Sequence, residues 1–113
     1  FGEMAMPNAW IADMTHYLDD SGCIVEMPTR VRRLADHFGA IVAAMSTQTP
    51  EKVVRTQVRC RRRPGRRACV GLIQAVINSE EHIRWQCPSC GDNGLISGWQ
   101  RTPWDMRRVG LLH

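Results

Sequence analysis

The run Cys87-Pro88-Ser89-Cys90-Gly91 restricts the fold of this chain more than any other stretch. Its two cysteines stand three positions apart, a spacing at which two thiolates grip one metal ion. Pro88 stiffens the backbone between them, and Gly91 permits the sharp exit turn that brings backbone N–H groups toward the sulfurs. Two further cysteines, Cys60 and Cys69, lie upstream. Four thiolates complete a closed tetrahedral site, and a closed site has no open position for substrate. The cysteines therefore point to a metal-stapled binding module and away from an enzyme.

A chain of 113 residues, 43% of them hydrophobic, is long enough for one domain with a modest core. It reads as a single domain over 1–113, with a hairpin–helix unit over 9–50 and a sheet unit over 53–106. No apolar run approaches the roughly 20 residues of a membrane span. Phe1 to Trp10 carries no basic segment and no long apolar stretch, so no signal peptide is expected there. A cytoplasmic location follows as the expectation, and reduced thiols are the default in that compartment.

The apolar spacing sets the remaining elements. Asp19-Asp20-Ser21-Gly22 is a polar cluster ending in glycine, and its flanks, Met14–Leu18 and Cys23–Val25, suit an N-terminal β-hairpin. Cys23 fits there as a small buried residue. Pro28 to Thr47 predicts one amphipathic helix, with Val31, Leu34, Phe38, Ile41, Val42 and Met45 on one face. The period then changes to two. Val54, Thr56, Val58 and Cys60 alternate with Arg55, Gln57 and Arg59, which marks a half-buried strand. Further strands are expected over 70–78, near Ile83–Cys87 and over Leu95–Trp99. The fold class is therefore α+β: a hairpin, one helix and a C-terminal antiparallel sheet.

Pro64 and Gly65 stand midway between Cys60 and Cys69. A hairpin centred on them places Cys60 opposite Cys69. Neighbouring cysteines leave several outcomes open. They can share a zinc ion with Cys87 and Cys90, they can close a cross-strand disulfide, or the metal can take a mixed set including His82. From Val53 to Trp99 the pattern resembles a zinc ribbon, in which antiparallel strands are capped by two cysteine pairs, one a rubredoxin-type knuckle. The resemblance implies a structural zinc held by Cys60, Cys69, Cys87 and Cys90. The longer stretch from Ala9 to Asp105 is also similar to small bacterial proteins, a likeness that supplies no activity.

Charge is divided along the chain. Residues 1–29 hold five acids and no Lys or Arg, whereas the remainder holds all 15 Lys and Arg residues. Eight of these, including Arg61, Arg62, Arg63, Arg66 and Arg67, fall within 51–67 beside one acid, Glu51. Like charges facing each other across a hairpin repel unless water screens them or an anion neutralises them. Phosphate is the obvious anion, so DNA or RNA is the expected partner, held by those five arginines. Two other readings stay open: a solvated charged face, and an acidic protein surface, supplied by a partner, by the acidic first 29 residues or by a homodimer. Trp85, Trp99 and Trp104 either stack on bases or cover the small sheet. Asp13, His16, Asp19 and Asp20 do not form a catalytic pattern, and no nucleophile elbow or phosphate loop is present. The expected function is a non-enzymatic, zinc-stabilised nucleic-acid-binding module. The alternative is a protein–protein adaptor with a structural zinc or a disulfide.

Overall fold

The helical apolar spacing yields α1, Thr29–Met45, in the computed structural model, which describes residues 9–107. Pro28 begins it with an extended backbone, and its carbonyl accepts the Arg32 N–H at 2.9 Å. No acid occupies the first turn, where Arg30, Arg32 and Arg33 meet the unfavourable end of the helix dipole. One pair, Arg32 Nε to Asp36 Oδ1 at 2.9 Å, relieves this in part. Phe38, Ile41, Val42 and Met45 are fully buried, as the spacing requires, but Val31 at the start of the face is 41% exposed. Ala35 and Gly39 complete the buried stripe.

The helix packs on one face of a five-stranded sheet in the order β1-β5-β4-β3-β2. The strands are β1 Trp10–Asp13, β2 Val54–Arg59, β3 Leu72–Ile77, β4 Ile83–Gln86 and β5 Asn93–Ser97. From β2 to β5 the sheet is antiparallel, as the two-residue period predicts. β1 adds a parallel strand against β5, making the sheet mixed. Ile73, Ala75, Ile77, Ile83, Trp85 and Ile96 face the helix and close the core. The fold class is α+β.

The N-terminal hairpin is reduced to a single antiparallel bridge, Leu18 with Ile24, around the predicted turn. Its first flank does not extend because Asp13 accepts the Thr15 N–H at 3.0 Å and hydroxyl at 2.6 Å. That starts a 3₁₀ turn over Met14–Tyr17. Cys23 is exposed and not buried as its composition suggested. The preceding segment becomes β1 because Gly94 has no side chain to keep it away. A Cβ there would stand 2.6 Å from the Trp10 carbonyl oxygen and 2.9 Å from the Trp10 Cβ.

The segment after β5 is pinned by a buried carboxylate. Asp105 accepts the Arg101 N–H at 2.9 Å, the Arg107 N–H at 3.0 Å and the Arg107 guanidinium at 2.7 Å. Burial alone would raise its carboxyl, but the Arg107 side chain and these N–H groups hold it below the usual aspartate range. A depressed folded value stabilises the protein above the unfolded value of about 3.9, and that stability is lost as pH falls through the folded value. Asp105→Asn should cost about 2 kcal/mol at pH 7, the worth of charge-assisted bonds, with the screening of the half-exposed Arg107 counted in. The difference from the parent should narrow in thermal melts taken below pH 4. A constant difference down to pH 2 would assign the cost to packing instead.

Candidate metal centre

Cys60 follows β2, Cys69 precedes β3, and Cys87 and Cys90 lie in the turn between β4 and β5. The sheet order brings these three segments to one end of the sheet. The four sulfurs lie within 4.8 Å of one another. Cys60 and Cys90 stand 3.6 Å apart, as do Cys69 and Cys87. A tetrahedron with metal–sulfur bonds of about 2.3 Å has edges of about 3.8 Å, so one ion fits among them with small adjustments. A disulfide needs sulfurs at about 2.05 Å. All four are free, so the cross-strand disulfide is not formed. His82 lies before β4, at the end of that strand remote from Cys87, and does not join the cluster.

Backbone N–H groups are aimed at every sulfur. Arg62 donates to Cys60 Sγ at 3.5 Å and Gly71 to Cys69 Sγ at 3.4 Å. Ser89 and Cys90 donate to Cys87, and Asp92 donates to Cys90. Such donors have little to gain from a neutral thiol and much to gain from a thiolate. Burial raises the Cys87 thiol, yet the N–H groups of Cys90 and Ser89 with the thiols of Cys69 and Cys90 bring it below its ordinary range. Burial pushes Cys60 and Cys90 up, and for Cys60 the neighbouring Cys90 and Cys87 add to the rise. Four sulfurs this close do not ionise together without a cation; a bound dication resolves the conflict. Cys60, Cys69 and Cys87 are buried and Cys90 is at the surface, which suits a structural site reached from one side.

The hairpin register differs from the expected one. The Arg66 N–H closes the tip on the Arg63 carbonyl at 3.0 Å, with Gly65 and Arg66 both left-handed at φ 61° and 70°. The pairing then shifts by two residues. Cys60 bonds to Gly71 at 3.0 Å and Cys69 to Arg62 at 2.9 Å, so Cys60 faces Gly71 and not Cys69. A bulge between Arg55 and Arg59 restores the register. There Thr56 Oγ1 donates to the Ile73 carbonyl at 2.8 Å and accepts the Val58 N–H at 3.1 Å. Cys60 and Cys69 become diagonal neighbours on one face, near enough to share an ion.

Residues Arg61, Arg62, Arg63, Arg66 and Arg67 are all exposed. Among the described residues none of them forms an ion pair with an acid, so the acidic N-terminal segment does not neutralise the tip within the described chain. Arg61 departs from the other four and lies over the Trp10 ring at 5.5 Å. Trp85 and Trp99 are buried, and Trp104 packs on Gly39, where any Cβ would collide with the indole. The tryptophans cover the core and offer no exposed stack for bases. The Asp13–His16 pair, 3.6 Å apart, joins no third ligand among the described residues.

Two features escaped the sequence reading. Gly71 lies directly against the Cys87 sulfur; Cys69-Val70-Gly71 was the available signal, a cysteine followed two positions later by the donor of its N–H···S bond. Beside the cluster, Asp92 accepts the Trp10 indole N–H at 3.2 Å, while Asp92 Oδ2, His37 Nε2 and Trp85 Nε1 have no partner among the described residues. Burial and the nearby Arg61 lower His37 to about 4, against the opposing pull of Asp92, so its imidazole is neutral near pH 7. No family model, curated protein or solved structure matches the chain.

Proposed function

We propose that this chain is a zinc-stapled, non-enzymatic module of zinc-ribbon type that binds nucleic acid through its arginine tip. A set of four sulfurs in a tetrahedral arrangement suits zinc, and its closure leaves no position for a reacting substrate. The observation that carries the nucleic-acid reading is the acid-free arginine tip, exposed along Arg61–Arg63 and Gly65–Ala68 and anchored at its base by Cys60 and Cys69. Like charges concentrated there repel one another, and a polyanion converts that repulsion into attraction. The metal fixes the base of the loop, so fewer tip conformations are lost when it binds. A two-stranded ribbon of this kind is narrow enough for the major groove of a duplex.

The test is fluorescence anisotropy of labelled DNA and RNA across a salt series. The parent protein should bind at low salt and weaken steeply as salt rises. Replacing Arg62, Arg63 and Arg66 with Ala should weaken binding at least about tenfold and reduce the log–log salt slope by about 2–3, one increment per lost phosphate contact. Unchanged metal content would show that folding is intact. Absence of binding by the parent at low salt would defeat the nucleic-acid reading.

A further inference from the structure

We infer that the sheet face opposite α1 is a second nucleic-acid contact surface that grips the sugar–phosphate backbone without stacking bases. This rests on the nucleic-acid reading above and extends it from the tip to the sheet. Register identifies the side chains of this face. Arg55 pairs with Gln74, Gln74 with Gln86, and Gln86 with Asn93, which makes a transverse row of one arginine and three amides across β2, β3, β4 and β5. Arg59 pairs with Leu72, and Arg84 pairs with Val76 and Leu95, on the same side. Their neighbours in sequence, Ile73, Ala75, Trp85 and Ile96, point the other way into the core.

Arg84 sits on β4, an interior strand, yet is exposed, as are Arg55 and Arg59. Leu72, Gln74, Val76, Gln86, Asn93 and Leu95, between them, are half-buried. Ile11, an open-face residue of edge strand β1, is 76% exposed. Among the described residues the three arginines have no acidic partner. The one carboxylate at an open-face strand position is Asp13, at the far edge, and Thr15 already occupies it. A sheet face built only for water would place opposite charges across neighbouring strands. This one sets positive charge and amide donors, complementary to phosphate and sugar oxygens, among the apolar side chains of Ile11, Leu72, Val76 and Leu95. Its strands carry no aromatic side chain on that side, since Trp10 and Trp85 share the helix side through their pairing with Gly94. Base stacking is therefore absent from this contact, and charge governs it.

The test replaces Arg55, Arg59 and Arg84 with Gln, which removes charge and keeps a polar, unbranched side chain at each exposed strand position. Binding of labelled duplex DNA and of a single strand of equal length is then measured across salt, beside the tip variant. We expect at least about a tenfold loss of affinity at low salt and a fall in the salt slope of about 2–3. Adding a negative charge with Gln86→Glu should weaken binding further, and metal content reports that the fold is kept. If the face variant binds like the parent while the tip variant is impaired, the face plays no part and the tip reading stands. If the parent binds neither probe at low salt, both readings fall together.

Discussion

Addition of a strong chelator should lower the thermal transition by more than about 15 °C, and Cys87→Ser should do the same without chelator. The expectation follows from where the cluster sits. Its four ligands join the end of β2, the start of β3 and the β4–β5 turn, at the end of the sheet where the arginine tip leaves it. Without an ion, the buried sulfurs of Cys60, Cys69 and Cys87 keep four inward N–H donors but lose the charge those donors are oriented to meet. Structural zinc contributes on the order of 10 kcal/mol in small metal domains, comparable to the whole stability of a domain this size. Here the core that holds Cys60, Cys69 and Cys87 also contains Phe38, Ile41, Val42, Ile73 and Ile96, which are not ligands, so a smaller share is at stake. Even about 4 kcal/mol corresponds to a shift of about 16 °C. Circular dichroism melts with and without chelator, paired with elemental analysis, measure both quantities. The metal-centre reading fails if the purified protein carries no metal and melts identically in both conditions.

How much of this was legible beforehand depends on the range of the interaction responsible. α1 was legible because its apolar stripe repeats within seventeen residues and its stop at Ser46 is local. The alternation of β2 was legible for the same reason. The cysteine cluster was legible in membership, because the knuckle is a local motif and the hairpin turn forces the other pair together. Its register was not, because the left-handed pair Gly65 and Arg66 and the bulge at Thr56 each move the pairing by choices with no periodic signature. Strand β1 was hidden for another reason. Its pairing with β5 spans more than eighty positions and depends on a glycine, Gly94, admitting Trp10. The polar seam of His37, Asp92 and Trp85 was hidden likewise, since it joins α1, the knuckle and β4.

Gly71→Ala should cost nearly as much as losing a ligand, although residue 71 has no side chain to bind a metal. Gly71 faces Cys60 across the hairpin, and an added Cβ would run into the Cys87 sulfur and stand 2.9 Å from the Ser89 hydroxyl. Its φ is not left-handed, so space and not conformation demands glycine here. A sulfur fixed on an ion cannot yield by the needed ångström without leaving the tetrahedron. The substitution should therefore reduce bound metal per chain and lower stability by at least about 3 kcal/mol, overpacking and metal loss acting together. Gly65→Ala is the matched comparison. At φ 61° it carries a left-handed penalty of about 1 kcal/mol, but nothing lies within 4 Å of its Cβ, so the metal should be retained in full. Metal stoichiometry and chemical denaturation of the two variants separate these outcomes. If Gly71→Ala keeps a full complement of metal and the parent's midpoint, Cys60 does not face Gly71, and the hairpin has the symmetric pairing of Cys60 with Cys69 instead.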